Sequence, residues 1–274
     1  MIDGDAPDHP DTREDRTRQA WEEASGKHVR EYDALLAEAR GARLLPVEEE
    51  LLGPLLARRP DVLHPQSGHG IDDIALIAAG ARSVVGLDYS ATAVGAAQQR
   101  ADELGRPCRY LLTQVPPFPV DTASADLVYT GKGALIWLPD LDTWAAEVVR
   151  VLRPGGHLFV HEAHPAVPLW SWDEDEARIR PDRSYFARTH VNDTFPALGA
   201  VEHQHTLAEI VMAVTRAGLQ LLELLEHPEP FWRPVGARAQ AWEGRLPNSF
   251  TLLASVDVTR PGAGPVSPGA RTSA

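Results

Sequence analysis

"VLHPQSGHGIDDIALIAAGA", Val62 to Ala81, decides the fold. An apolar, strand-like run ends in small residues that include Gly68 and Gly70, and an amphipathic helical pattern follows at once. In an open α/β sheet, ligands bind outside the carboxyl ends of the strands. Glycine lets the backbone approach a ligand closely, and a helix N-terminus offers free N–H groups. The turn therefore reads as the receiver of a nucleotide-like cofactor. A dinucleotide turn asks for a third glycine, G-x-G-x-x-G. Here Asp73 holds that place, with Asp72 before it. Carboxylates beside a pyrophosphate are costly, so the pattern points to a carrier without phosphate. S-adenosylmethionine, with its sulfonium and ammonium, fits that requirement.

Outward from this turn the chain alternates. "DVLHP" reads as strand and "IDDIALIAAG" as helix, "SVVGLD" as strand and "SATAVGAAQQRADELG" as helix, with Ser90 as the N-cap. "CRYLL" and "ADLVYT" read as strands, and "DLDTWAAEVVRVL" as a helix stopped by "RPGG". "HLFVHE" is a strand, "TLAEIVMAVTRAG" a helix, and "LQLLELLEH" and "NSFTLLASVDV" the closing strands. Such alternation predicts a parallel sheet with helices on both faces. Before it, residues 17–41 read as helix, with Trp21, Ala24, His28, Tyr32 and Leu35 at helical spacing, and 46–57 as a second helix opened by Pro46. The rhythm breaks at His164. Residues 165–200 carry aromatics, prolines and mixed charge without a period, and read as an insert or lid; "PEPFWRPVGARAQAWEGRLP", between the closing strands, is another aromatic loop.

Composition bounds the rest. The chain has 274 residues, 43% of them apolar, and a formal net charge of −13. That field does not attract polyanions, so nucleic acid is not an expected partner. The lone Cys108 precludes an intrachain disulfide, and no segment has the apolar length of a signal core or a membrane span. The expectation is a cytoplasmic protein acting on a small-molecule acceptor. Residues 1–16 and 260–274, rich in Pro, Gly and charge, read as disordered ends.

Asp88 ends the second strand, where an acid can accept hydrogen bonds from both ribose hydroxyls of NAD or of S-adenosylmethionine alike. With these residues in place the chain resembles the class I S-adenosylmethionine-dependent methyltransferases. It is similar to a bacterial small-molecule subgroup through "HPQSGHGID", "VYTGKGALIWLPDL", "WAAEVVRVLRPGG", "HEAHP" and "HTLAEIVMAVTRAGL". The likeness covers roughly residues 17–258. It implies a Rossmann-like, doubly wound, mostly parallel seven-stranded sheet with an antiparallel last strand. One methyltransferase domain over 17–259 would carry N-terminal helices and a lid at about 165–203.

The resemblance also implies roles. Gly68 and Gly70 pass beneath the methionine part, and Asp72 opens the first crossover helix near it. Asp88 holds the ribose, Tyr89 packs on the adenine, and Gln114 and Val115 read the adenine edge. Thr130 lies under the amino-acid end, and Tyr32 closes over the carboxylate. Departures stand at Pro65, Ser67, Gln114, Gly131 and Lys132, where the subgroup has Leu, Cys, an acid, Ser and an aromatic.

Methyl transfer needs a nucleophile aligned with the methyl and, for a protonated acceptor, a proton acceptor. His164, just beyond the tip of the fifth strand, is the candidate general base. His161, His203 and His205 are further imidazoles near the same cleft, and a turn or cap role is open to each. Their spacing matches no metal motif, and no metal is expected. Trp137, Trp170, Tyr185, Phe231 and Trp232 are the candidate acceptor-binding aromatics, with Trp172 and Phe186 nearby. They suit an aromatic or heteroaromatic, indole-like acceptor of specialised metabolism, methylated at O, N or C. A nicotinamide-dependent oxidoreductase and a non-catalytic cofactor-binding regulator are the competing readings. Asp73 argues against the first.

Overall fold

The computed structural model describes residues 10–170, 178–192, 200–230 and 245–258, with side chains from residue 15 onward. The strands are β1 (Asp61–Pro65), β2 (Ser83–Asp88), β3 (Cys108–Leu112), β4 (Ala125–Gly131), β5 (Leu152–Ala163), β6 (Thr189–Val191), β7 (Val201–His203), β8 (Leu219–His227) and β9 (Ser249–Val256). The helices are α1 (Pro10–Arg30), α2 (Tyr32–Arg40), α3 (Pro46–Leu56), α4 (Ile71–Ala78), α5 (Ala91–Glu103), α6 (Leu141–Val151) and α7 (Leu207–Arg216). Seven strands form one sheet in the order β3-β2-β1-β4-β5-β9-β8, and β6 pairs with β7 as a separate ribbon. β1 to β5 run parallel, while β9 lies antiparallel between β5 and β8. This is the doubly wound sheet with an antiparallel closing strand that the alternation and the resemblance imply.

Both faces of the central strands are buried, which is why they read as unbroken apolar runs. On β4, Val128 packs with Trp144, Val148 and Val160 on one side. Leu127 and Tyr129 pack with Leu52, Leu76 and Phe159 on the other. Trp144 is fully buried on α6. Ser90 caps α5 by accepting the Ala93 N–H at 3.0 Å. Thr206 and Glu209 form a reciprocal capping box at the start of α7.

Three boundaries differ from the sequence expectation. α1 begins at Pro10, inside the stretch read as disordered. The helix expected over 17–41 breaks at Glu31, whose φ of −108° and ψ of 26° separate α1 from α2. "RPGG" falls inside the span of β5, which begins at Leu152 instead of after it. The register with β4 jumps there from Ala125↔Leu152 to Leu127↔His157, and Gly155 takes a left-handed φ of +76°.

The order of strands reverses between β1 and β4. There the chain leaves β1 toward β2 on one side and β4 stands on the other, so the two loops diverge and open a crevice.

Candidate active site

A cleft of about 740 Å³ fills that crevice. Its floor is the glycine turn. Gly68 has φ +54°, and a Cβ there would stand in open space, so this backbone is bare toward the cleft. Gly70, at φ +74°, is the N-cap of α4, and a Cβ there would strike the Tyr110 ring. Asp88 closes one end of the cleft. Its Oδ2 accepts the Gly68 N–H at 2.9 Å and its Oδ1 the Ser90 N–H at 2.8 Å. Burial holds this carboxyl above the ordinary carboxylate range, against the pull of those N–H groups. Tyr89 lines the cleft beside it, and Trp21, Ala24 and His28 of α1 form the roof.

The other end is a buried ionic chain. Lys132, at the left-handed φ of +62°, places Nζ 2.5 Å from Asp72 and 3.4 Å from Glu48. Glu48 accepts the Tyr129 hydroxyl at 2.5 Å and the Leu45 N–H at 2.8 Å. Burial alone would lower the Lys132 pKa, but Asp72 and Glu48 outweigh it and keep the ammonium charged. Burial likewise opposes the Asp72 carboxylate, and Lys132 holds that pKa below its ordinary value. Asp73 points elsewhere. It is fully buried beneath α4, with Oδ1 2.6 Å from His64 Nδ1, and this partner outweighs burial to raise the His64 pKa. Of the two acids in the turn, only Asp72 therefore faces the cleft.

A second cavity of about 330 Å³ adjoins the first. Trp21, Lys132, Gly133 and Trp137 line both, so they form a shared wall. The two indoles meet edge to face at 5.2 Å. Leu135, Ile136, Val167, Ile210 and Phe250 make the rest of the second lining largely apolar. Glu162, 2% exposed, holds the wall from behind. Its Oε2 accepts the Gly133 N–H at 2.7 Å, and its Oε1 accepts Ala134 at 2.7 Å and Leu135 at 3.1 Å. Burial pushes its pKa up to about 7 against those three donors.

Residues 62–156, the span from β1 into the first part of β5, match the family described as "Methyltransferase domain". The chain carries a methyltransferase domain over those residues. A segment of 98 residues is 32% identical to the phthiotriol/phenolphthiotriol dimycocerosates methyltransferase of Mycobacterium leprae (strain TN), covering 36% of this chain and 35% of that one. The chain thus spans about a third of the length of the curated relative it matches. Among solved structures, an S-adenosylmethionine-dependent methyltransferase of Mesorhizobium loti superposes with a TM-score of 0.60 at 23% identity, over 74% of this chain and 96% of that chain. A second from Listeria monocytogenes gives 0.59 at 18%, over 73% and 92%. These two likenesses are of fold.

The structure brings Gly68, Asp72, Asp88 and Tyr89 together in the cleft of the methyltransferase domain, and Trp137 between the two cavities. Gly70 lies directly beneath, as helix cap. Other expected residues stand apart. Tyr32 follows the break at Glu31 and turns outward, its hydroxyl on Glu103 at 3.0 Å and its ring 5.3 Å from the Arg100 guanidinium. Thr130 is fully buried in β4. Gln114 is exposed beyond β3, and Val115 packs into the core with Leu87 and Phe118. None of these four lines the cleft. Trp170 bridges to Ile179, and the Tyr185 hydroxyl accepts the Leu207 N–H at 3.0 Å, so it serves the start of α7. Phe231, Trp232 and Trp172 lie outside the described residues.

His164 lines the second cavity but both its nitrogens are engaged. Nδ1 accepts the Ala166 N–H at 3.1 Å, and Nε2 lies 2.9 Å from Glu226. That leaves no lone pair for an acceptor's proton, and burial lowers its pKa. In this arrangement His164 braces the end of the strand. His161 is bonded to Thr251 at 2.9 Å, and burial holds it down at about 4. His205 donates Nε2–H to the Leu138 carbonyl at 2.8 Å. The sequence reading missed His28 and His69 as cleft residues. Their rings lie 4.7 Å apart, and burial lowers both pKa values, that of His28 to about 4. It also missed the anchoring role of Glu162. The signal for His28 was present in the helical stripe; the face it covers was not.

Proposed function

We propose that this chain transfers the methyl group of S-adenosylmethionine to O, N or C of a small aromatic or heteroaromatic acceptor. The shared wall carries the reading: a polar cleft fitted to a nucleoside-like carrier opens onto a largely apolar chamber of about 330 Å³, with two indoles at the border. The bare Gly68 backbone, the Asp88 carboxylate at the tip of β2 and the Tyr89 ring fit S-adenosylmethionine. When bound, that group supplies a methyl already activated on sulfur.

The chain's own part is alignment. Asp88 would take the ribose hydroxyls, and Tyr89 would cover the adenine. Lys132 shields part of the Asp72 charge, so the methionine end meets a moderated negative field. Trp21 and Trp137 would hold a flat acceptor by edge and face contacts. With both His164 nitrogens engaged and Lys132 charged, neither takes the acceptor's proton in this reading; Glu162, His190 and His203 also line the chamber, and an acceptor that reacts as a neutral nucleophile needs none of them. Positioning and exclusion of water then supply the rate.

Calorimetric titration with S-adenosylhomocysteine and with NADH separates this from the oxidoreductase reading; only the first should bind. A panel of indoles, phenols and heteroaromatic amines, read by mass spectrometry for a one-methyl gain, tests the acceptor class. Tight cofactor binding with no transfer to any member would leave a binding protein and end the proposal.

A further inference from the structure

A cleft of about 530 Å³ lies at the opposite end of the sheet, where β1, β4 and β5 begin. Four arginines from three segments converge on it: Arg58 and Arg59 after α3, Arg82 before β2, and Arg153 at the start of β5. Arg82 forks onto Asp61, with its Nε at 2.7 Å, and Arg153 reaches Asp126 at 2.9 Å and Asp61 at 3.3 Å. Among the described residues, Arg58 and Arg59 have no carboxylate within 4.0 Å. Four guanidinium groups thus face two carboxylates, an excess of two positive charges in a chain of net −13. His157, on the cleft floor, stays neutral because burial and the charge of Arg58 both lower its pKa.

Helix ends use up part of that excess. α3 stops at Leu56 and α6 at Val151, each just before these arginines. A helix C-terminus presents roughly half a negative charge, so two of them offset about one. A positive charge of about one remains unanswered in a concave site. Guanidinium groups fork onto phosphate oxygens.

We propose that this cleft binds a phosphate-bearing small molecule. The site is separate from the cofactor cleft: β1 spans five residues between them, about 15 Å at roughly 3.3 Å per residue. The inference is independent of the methyl-transfer reading.

The test titrates pyrophosphate into the full chain by calorimetry, with sulfate at matched ionic strength as control. Pyrophosphate should saturate and bind at least about tenfold tighter than sulfate. The double variant Arg58→Ala/Arg59→Asn should weaken it by at least about tenfold and leave S-adenosylhomocysteine affinity unchanged. Asn is chosen because Arg59 holds a left-handed φ of 56°, which Asn tolerates. Hydrogen exchange on the unsubstituted chain gives a second readout that needs no variant: pyrophosphate should slow residues 57–60 and 153–157. Equal binding of sulfate, unchanged binding by the variant, or protection at the Gly68 turn instead would each overturn the proposal. A variant that loses thermal stability but keeps pyrophosphate affinity would assign these arginines to the helix ends alone.

Discussion

Replacing Glu162 with Gln tests the anchor of the shared wall, and the structure sets its size. The glutamine carbonyl can keep the Ala134 and Leu135 bonds at the Oε1 position, but its amide then faces the Gly133 N–H, donor against donor. One lost bond of this kind costs about 1–2 kcal/mol. Against that stands the burial of the carboxylate. Its folded pKa of about 7 lies above the ordinary 4.5. The folded state therefore binds the proton more firmly than the unfolded state. The resulting stability is complete below the ordinary value and is lost as pH rises through about 7, by about 3 kcal/mol in all. Gln has no such titration. The variant should be the less stable protein at about pH 4 by about 1–2 kcal/mol and the more stable one at about pH 8 by a similar amount. Urea midpoints at unchanged slope, taken at each half pH unit, measure the difference. A gap that ignores pH, or one that widens against Gln as pH rises, would show that the three N–H donors outweigh burial and would refute the reasoning. Because Gly133 borders both cavities, turnover should fall more than cofactor affinity.

Asp88→Ala strips the acceptor from the Gly68 and Ser90 N–H groups and from any ribose, so S-adenosylhomocysteine affinity should fall by at least about 1.4 kcal/mol, one decade by calorimetry; an unchanged constant would remove that role. His164→Ala should lower turnover while the pH–rate profile keeps its shape, because neither nitrogen is open to a proton from the acceptor; loss of one limb of the profile would restore it as base. Lys132→Met leaves Asp72 and Glu48 without their cation. The pair's side chains are 20% and 29% exposed, so the cost is discounted to about 2–3 kcal/mol. Lys132 depresses the Asp72 pKa, so this stability is present above the ordinary aspartate value and fades as acid protonates the group. The deficit measured at pH 7 should hold down to about pH 4 and shrink only below it, toward about pH 2; a deficit that stays constant to that acidity would contradict the pairing.

The sheet was legible because period and punctuation agree along the chain. Strands β1 to β3 fall where the apolar runs end at Pro65, Asp88 and Leu112, and the glycine turn follows from two residues. What escaped depends on which way a side chain turns. The stripe Trp21, Ala24, His28 and Tyr32 continues in sequence, but the backbone at Glu31 rotates its last member onto Glu103. Asp72 and Asp73 are neighbours, yet helical geometry sends one to Lys132 and the other to His64. His164 lies beyond a strand tip, as expected of a base, but the carboxylate of Glu226 from β8 engages it across the sheet. Contacts between segments far apart in sequence decide such cases, and no local pattern encodes them.

The border between the two cavities draws Trp21 from α1 and Trp137 from the segment after β4. The far side of the second cavity comes from beyond residue 156, including Phe250 of β9 and Ile210 of α7. On the proposed reading the carrier's cleft draws mainly on one contiguous stretch, and the acceptor's chamber on pieces scattered before and after it. A protein trimmed to residues 62–156 would keep the glycine turn, Asp88 and Tyr89, lose the α1 roof over them, and lose most of the second cavity's lining. Substitutions on α7 or β9, at Ile210 or Phe250, would thus reshape the second cavity without touching the turn that floors the first.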